Sequence, residues 1–308
     1  MVFAGCRVVT LPAWALNIFA AANVHVVMTS KRTYDPMLWS SVVLALLVAA
    51  TAVVGIWWPA AYARETPYSR AGAVGSDLVD LFVVAPVLLI SGIKGYRGSI
   101  PARLVWLGAQ GYLFYNFVIY AFAVHFNALV LLYCATLSLC FYSTVLALPF
   151  IPIGQIAAAC APRAPRKTVA ITFIVLVLST AVFDLLEDVA AIAAGRIPQS
   201  IVVLNQPVNF VHVLDLAFLL PGLCITAVFL LRRKAAGYAL APVMLALLAI
   251  MSVELASIVA MMGRAGFGMN FTMIGSFMVL GVAFTALLGF YLARANGSAW
   301  IGLDRLHS

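Results

Sequence analysis

The sequence predicts an all-α, polytopic integral membrane helix bundle, and three observations predict it. Of the 308 residues, 65% are hydrophobic and only 9% are charged, and the mean hydropathy is +1.10; soluble domains carry about 25% charged residues. The apolar residues run in nearly uncharged stretches of roughly 20, the length that crosses a hydrocarbon core as a helix. These stretches lack the polar/apolar alternation of barrel strands, and a backbone in lipid must satisfy its own hydrogen bonds. A single transmembrane domain over 1–308 is expected, in a cell membrane and, by its Ala/Val/Leu-rich composition, a bacterial inner membrane.

Nine spans follow in order. The first, 8–28, lacks a charged leader and a small-residue cleavage site and ends at Lys31-Arg32, so it is expected to be retained as a span. The second, 38–60, ends on Trp57 and Trp58, which suit an interfacial aromatic belt. The third, 76–93, opens on Ser76-Asp77 and contains Asp80 and Pro86; the fourth, 102–124, carries Tyr112, Asn116 and Tyr120 at four-residue steps; the fifth is 127–148. Four prolines in 149–165 predict a kinked extension or an interfacial piece. The sixth, 168–194, contains Asp184, Glu187 and Asp188; the seventh, 208–231, contains His212, Asp215 and Pro221; the eighth, 238–262, contains Glu254; the ninth is 270–293.

Alternating the loops separates the basic residues. Lys31, Arg32, Lys94, Arg97, Arg103, Arg163, Arg166, Lys167, Arg232, Arg233, Lys234, Arg294 and Arg305 fall on one side, and only Arg7, Arg64, Arg70, Arg196 and Arg264 on the other. The richer side is expected to be cytoplasmic, giving N-terminus out and C-terminus in. The net charge of +8 is thus a topology signal, and no nucleic-acid partner is expected. Cys6, Cys134, Cys140, Cys160 and Cys224 are scattered through apolar runs without a CxxC pair, which argues against a redox or zinc-ribbon motif.

An internal similarity links two spans. Asp77-Leu78-Val79-Asp80-Leu81 is followed by Pro86, and His212-Val213-Leu214-Asp215-Leu216 by Pro221 at the same spacing. This predicts a parallel repeat of spans two to five (38–148) and six to nine (168–293), with span 8–28 added. Each proline is expected to bend its helix.

The acidic residues carry the functional signal. Asp77, Asp80, Asp184, Glu187, Asp188, Asp215 and Glu254 are all expected in the outer halves of spans. A carboxylate at membrane depth costs about 2.5–3.5 kcal/mol on an insertion scale, so these groups need partners, water or metal. Asp215 and Glu254 are expected about 10 and about 12 Å inside their helix ends. The i, i+3 and i, i+4 spacings place each set on one helical face. Asp77 after Ser76 also suits a helix N-cap, and the 184–188 cluster a wet rim. His25 reads as interfacial and His307 as part of the tail.

Three functional readings follow. The first is an extracytoplasmic-side cavity in a metal-dependent membrane enzyme acting on a lipid or lipophilic substrate. In it His212, Asp215, Asp77, Asp80 and His125 bind zinc, iron or manganese, Glu187 and Glu254 act as general bases for a metal-bound water, and Tyr112, Asn116, Tyr120, Asp184, Asp188 and Asn209 line the cavity. The second is a cation- or proton-coupled secondary transporter, and the third a non-catalytic subunit or sensor. Partners on these readings are membrane lipids and a small lipophilic molecule or cation. No GxSxG, phosphate loop or dinucleotide fingerprint is present.

Overall fold

The computed structural model describes residues 37–294; the expected span 8–28 with Cys6, Arg7, His25, Lys31 and Arg32, and the tail residues Arg305 and His307, lie outside the described residues. Every regular element among the described residues is a helix. In chain order these are α1 (Met37–Trp57), α2 (Pro67–Tyr96), α3 (Ile100–Phe122), α4 (Val130–Phe150), α5 (Ile153–Cys160), α6 (Arg166–Ala193), α7 (Gln199–Leu204), α8 (Phe210–Leu231), α9 (Ala235–Phe267) and α10 (Phe271–Ala293). Seven of them, α1, α2, α4, α6, α8, α9 and α10, are long and apolar enough to cross a membrane. Helix α3 is 23 residues long but more polar, because Gln110, Tyr112, Asn116 and Tyr120 lie on it. It is central, packed against α2, α4 and α9, with Trp106, Tyr112, Leu113 and Phe117 wholly buried. A helix enclosed by others can carry polar side chains that a lipid-facing helix cannot.

The third span starts earlier than its apolar run. Helix α2 begins at Pro67, where Thr66 is the N-cap and accepts the Ser69 amide at 3.1 Å. The polar residues 66–70 hide this start from a hydropathy reading. Asp77 is therefore not a cap; it lies ten residues inside the helix, about 15 Å along its axis, and is fully buried. Helix α9 likewise extends past Met262 through a final turn, Gly263–Phe267, that Gly266 closes with φ 95°. Glu254 is accordingly about 20 Å from that end rather than about 12 Å.

The two Asp-Pro sequences take one local form. Asp80–Val84 and Asp215–Leu219 are both π-helical turns that begin on the aspartate, and Ala85 and Leu220 donate back five residues to the Asp80 and Asp215 carbonyls. Pro86 and Pro221 occupy the second position of the α-helical segments that follow. A proline removes the donor of an i to i−4 bond and crowds that carbonyl, and the widened turn before it accommodates both effects, so the expected bend is a π-bulge at an acid.

Neighbour order is similar in the two stretches. Helices α1, α2, α3 and α4 pack in sequence, as do α6, α8, α9 and α10, and α9 joins the two sets by packing on both α2 and α3. Gly75 and Gly108 permit this. A Cβ on Gly75 would meet the Ile258 backbone at 2.6 Å, and one on Gly108 would meet the Val243 carbonyl at 2.6 Å, the close approach that small residues give to helices in lipid. Helices α6 and α10 form the apolar exterior, with Phe183, Ile192, Phe271 and Val279 exposed. Residues 149–165 contain a short 3₁₀ turn and then α5, whose Ile156, Ala159 and Cys160 are buried. Burial pushes the Cys160 thiol up to about 11, so it is not a reactive thiolate.

At one end of the bundle the α1–α2 loop clasps its neighbours. Arg64 Nη1 donates to the Phe126 carbonyl at 3.0 Å, and the Glu65 carboxylate accepts the His125 amide at 2.7 Å and meets His125 Nδ1 at 3.0 Å. Ser69 Oγ donates to the Leu204 carbonyl at the end of α7 at 3.3 Å. Glu65→Ala leaves the His125 amide without its acceptor and should cost about 1–2 kcal/mol, read as a lowered melting temperature of the detergent-solubilised protein; an unchanged melt would mean the clasp contributes nothing.

Candidate functional site

Two groups of acids lie inside the bundle. The first sits between α1, α2, α3 and α9. Asp77, at ten residues into α2, accepts hydroxyl hydrogen bonds from Tyr62 and Tyr120, both at 2.8 Å. One turn on, Asp80 accepts from Tyr112 at 3.1 Å and from the Asn116 amide at 3.0 Å. Asn116 also donates to the Tyr112 hydroxyl at 3.2 Å. Glu254, facing from α9, accepts from Ser76 at 2.8 Å. Helical spacing aligns these partners: Tyr112, Asn116 and Tyr120 recur every four residues on α3 and so face the Asp77 and Asp80 turn of α2. The three carboxyl groups are at most 5% exposed. Tyr62 lies in the loop before α2; burial, followed by the Asp77 carboxylate, raises its hydroxyl well above the usual tyrosine range, which keeps it a donor.

The second group lies between α3, α6 and α8. Asn209 caps α8 by accepting the Val211 and His212 amides at 3.1 and 3.4 Å, and donates to Ser200 Oγ at 3.2 Å. This cap fixes the turn that carries His212. His212 Nδ1 lies 3.2 Å from Asp188, while its Nε2 lies 3.7 Å from Asp184 and 3.9 Å from Glu187, too far for hydrogen bonds. Glu187 accepts the Ser200 amide at 2.9 Å. One turn beyond His212, Asp215 accepts the Tyr115 hydroxyl at 2.9 Å. Asp184 is 3% exposed, and its Oδ2 has no hydrogen-bond partner among the described residues.

Among the described residues no lysine or arginine forms an ion pair with these acids, every ion pair having His125 or His212 as its basic member, and Arg196 acts on the partly exposed Glu187 only at longer range. Removing a carboxylate from water without a counter-charge is costly, so hydroxyl and amide donors, protons and water must do what cations do in a soluble core. Two open cavities among the described residues lie at opposite ends of the bundle, one beside Arg64 and Phe126 and one beside Arg166 and Arg233, and none of these acids lines either.

The five expected metal ligands do not come together. Asp77 and Asp80 lie in the first group, His212 and Asp215 in the second, and His125 in the loop clasp with Glu65. Among the described residues no three His, Cys, Asp or Glu side chains converge as a metal site. The reason is local: the i, i+3 spacing puts each pair on one face of its own helix but does not turn the two helices toward one another. The general-base candidates are divided too, Glu254 in the first group and Glu187 in the second. Tyr112, Asn116 and Tyr120 are brought to the first group, and Asp184, Asp188 and Asn209 to the second. Sequence reasoning missed Tyr62, Tyr115, Ser76 and Ser200; Ser76 and Tyr115 each adjoin a residue that was singled out, while Tyr62 and Ser200 carry no signal before the loops are folded.

Seven long apolar helices define a multi-pass α-helical membrane protein. In comparisons with known proteins, no family model, no curated protein and no solved structure matched this chain.

Proposed function

We propose that the protein is a proton-coupled membrane transporter in which the buried carboxyl groups are the protonation sites. The observation that carries this reading is that Asp77, Asp80 and Glu254 are buried at mid-helix with neutral donors around them and no basic side chain among their partners in the described residues. Such groups inside membrane helices mark ion pathways and proton relays. Nearest the clasped end, Glu187 and Asp188 retain some exposure and adjoin His212. Asp215, one turn along α8, meets Tyr115 of α3, whose chain neighbour Asn116 bonds Asp80. Further along α3, Gln110 donates to Ser143 at 2.8 Å and has a buried carbonyl oxygen with no partner among the described residues, so polar groups continue toward the basic end. The paired π-bulges give α2 and α8 matching points at which to bend, and we read the two halves as a parallel repeat with N-terminus out and about nine spans. A metal-dependent enzyme acting on a lipophilic substrate receives less support, since its ligands fall in three places and neither cavity adjoins its bases.

The test is proton movement in proteoliposomes holding a trapped pH dye, under an imposed pH gradient, with sodium, potassium or neither present. We expect faster movement than in protein-free liposomes in at least one condition, and at least tenfold less with Asp80→Asn and Glu254→Gln combined. Folded wild-type protein that matches empty liposomes in all three conditions, or a double variant as fast as wild type, would sink the reading.

A further inference from the structure

The open cavity of about 670 Å³ at the basic end has a different chemistry from the acid groups. It lies among α5, the start of α6 and the turn from α8 to α9, and is lined by Arg166, Arg233 and Tyr238 with small apolar residues of 157–162. The two segments around it, 163–167 and 232–234, hold Arg163, Arg166, Lys167, Arg232, Arg233 and Lys234 and no acid. Arg166 Nη1 touches the Leu231 carbonyl at 3.4 Å, linking the two segments, and neither lining arginine is ion-paired to a carboxylate among the described residues.

The backbone at Arg233 supplies an independent observation. Arg233 has φ 55°, a left-handed conformation, and the turn is closed by Arg233 N to the Leu230 carbonyl at 3.1 Å and Lys234 N to the Phe229 carbonyl at 2.9 Å. This is the Schellman ending, whose left-handed position favours glycine. The chain itself provides the comparison. The turn from α2 to α3 is closed by the same two bonds, Gly98 N to Gly95 O and Ser99 N to Lys94 O, both at 3.0 Å, and its left-handed residue is Gly98, at φ 105°. Where one half uses the residue that the turn prefers, the other half places an arginine, in a strained conformation and at the rim of a cavity. Strain of this kind at a charged residue points to a ligand more than to folding.

We propose that this cavity binds the phosphate of an anionic phospholipid headgroup, with Arg166 and Arg233 as its ligands. A guanidinium matches phosphate oxygens in bidentate fashion, and basic pockets between membrane helices on the cytoplasmic side suit such headgroups. The lipid is favoured over free phosphate because the elements that form the cavity also carry exposed apolar side chains, Ile153 one turn before the lining Ala157 on α5 and Leu231, whose carbonyl meets Arg166, along which acyl chains would lie while the headgroup enters the cavity.

The test is thermal melting of the full chain in neutral detergent, titrated with phosphatidylglycerol, phosphatidylcholine or inorganic phosphate, since a ligand that binds the folded state raises the melting temperature by mass action. Phosphatidylglycerol should raise it, and the other two should have little effect. Arg233→Gly should melt, without lipid, at least as high as wild type because glycine fits the turn, yet need at least about tenfold more phosphatidylglycerol for the same shift, a loss of the size expected for a charge-assisted contact. Arg166→Gln should weaken the response similarly, and Arg97→Gln, at the matching turn of the other half, should not. Equal responses to the two lipids, a full response to phosphate alone, an Arg97→Gln loss as large as that of Arg233→Gly, or a wild-type response in both cavity variants would each overturn the proposal.

Discussion

Gly55→Leu is expected to prevent accumulation of folded protein, and Gly55→Ala to lower stability by about 1–3 kcal/mol, the usual cost of overpacking. Gly55 is buried on α1 against the Asp77 turn of α2, and a Cβ there would strike the Asp77 carboxylate and the Tyr62 hydroxyl. Neither neighbour can give way. Asp77 is held by two tyrosine hydroxyls, Tyr62 and Tyr120, at 2.8 Å each, and Tyr120 stacks on Tyr133 with ring centroids 5.1 Å apart. Pushing the carboxylate aside would strip it of its two tyrosine donors while it stays buried, adding the cost of an unsatisfied buried polar group to the steric one. The variants are to be compared by melting temperature and by the monodisperse fraction after solubilisation. Pairing Gly55→Ala with Asp77→Ser, which withdraws the struck atoms, should recover part of the loss, the non-additivity expected of residues in contact. If Gly55→Ala melts as wild type does, Asp77 is not lodged against α1.

Much of this architecture was legible because lipid imposes a one-dimensional code. Charged and proline-rich breaks located α1, α4, α6, α8 and α10 to within a few residues, since each is a single apolar run between polar ends. The start of α2 was not legible: Thr66 and Pro67 are a good start signal, but the polar turn after them reads as loop until it is seen packed under α7 and against α9. Depth depended on that boundary, which is why an N-cap stood as an alternative to a buried site for Asp77. The pairing of Asp80 with Pro86 and of Asp215 with Pro221 was visible as a pattern, whereas the π-bulge that realises it depends on backbone geometry.

The composition of the site was legible and its partition was not. Spacing correctly placed Tyr112, Asn116 and Tyr120 on one face of α3, and the structure turns that face to Asp77 and Asp80. Tyr115, one residue before Asn116, points to the other acid group and bonds Asp215. Two faces of one central helix thus serve two groups of acids, so a list of polar residues by span could only merge them. Helix rotation is set by packing between particular side chains such as Gly108 and Ala246, and a chain apolar on nearly every face barely encodes it.

Asp215→Asn should raise the melting temperature by about 2–4 °C, the shift that about 1 kcal/mol gives in a protein of this size, while reducing proton movement at least tenfold. Asp215 is 7% exposed and, among the described residues, its carboxylate has a single hydrogen bond, from Tyr115. Asp184 of α6 acts on it electrostatically and already has an oxygen without a partner among the described residues. The amide keeps the volume and the oxygen that Tyr115 needs, adds donors among acceptor-rich carboxyl groups, and removes a charge whose burial costs stability. What it removes as well is the titratable proton. Asp215→Ala separates the two effects: it also has no proton, but it leaves the Tyr115 hydroxyl without its acceptor and opens a void, so it should melt lower than wild type. On the transport reading both variants fail to move protons although their stabilities shift in opposite directions. If instead activity follows stability, with Asp215→Asn as active as wild type and only Asp215→Ala impaired, Asp215 serves to hold α3 against α8, and the protonation role falls to Asp77, Asp80 and Glu254 alone. A stabilising change that silences transport would identify Asp215 as a residue kept for its chemistry at the expense of the fold.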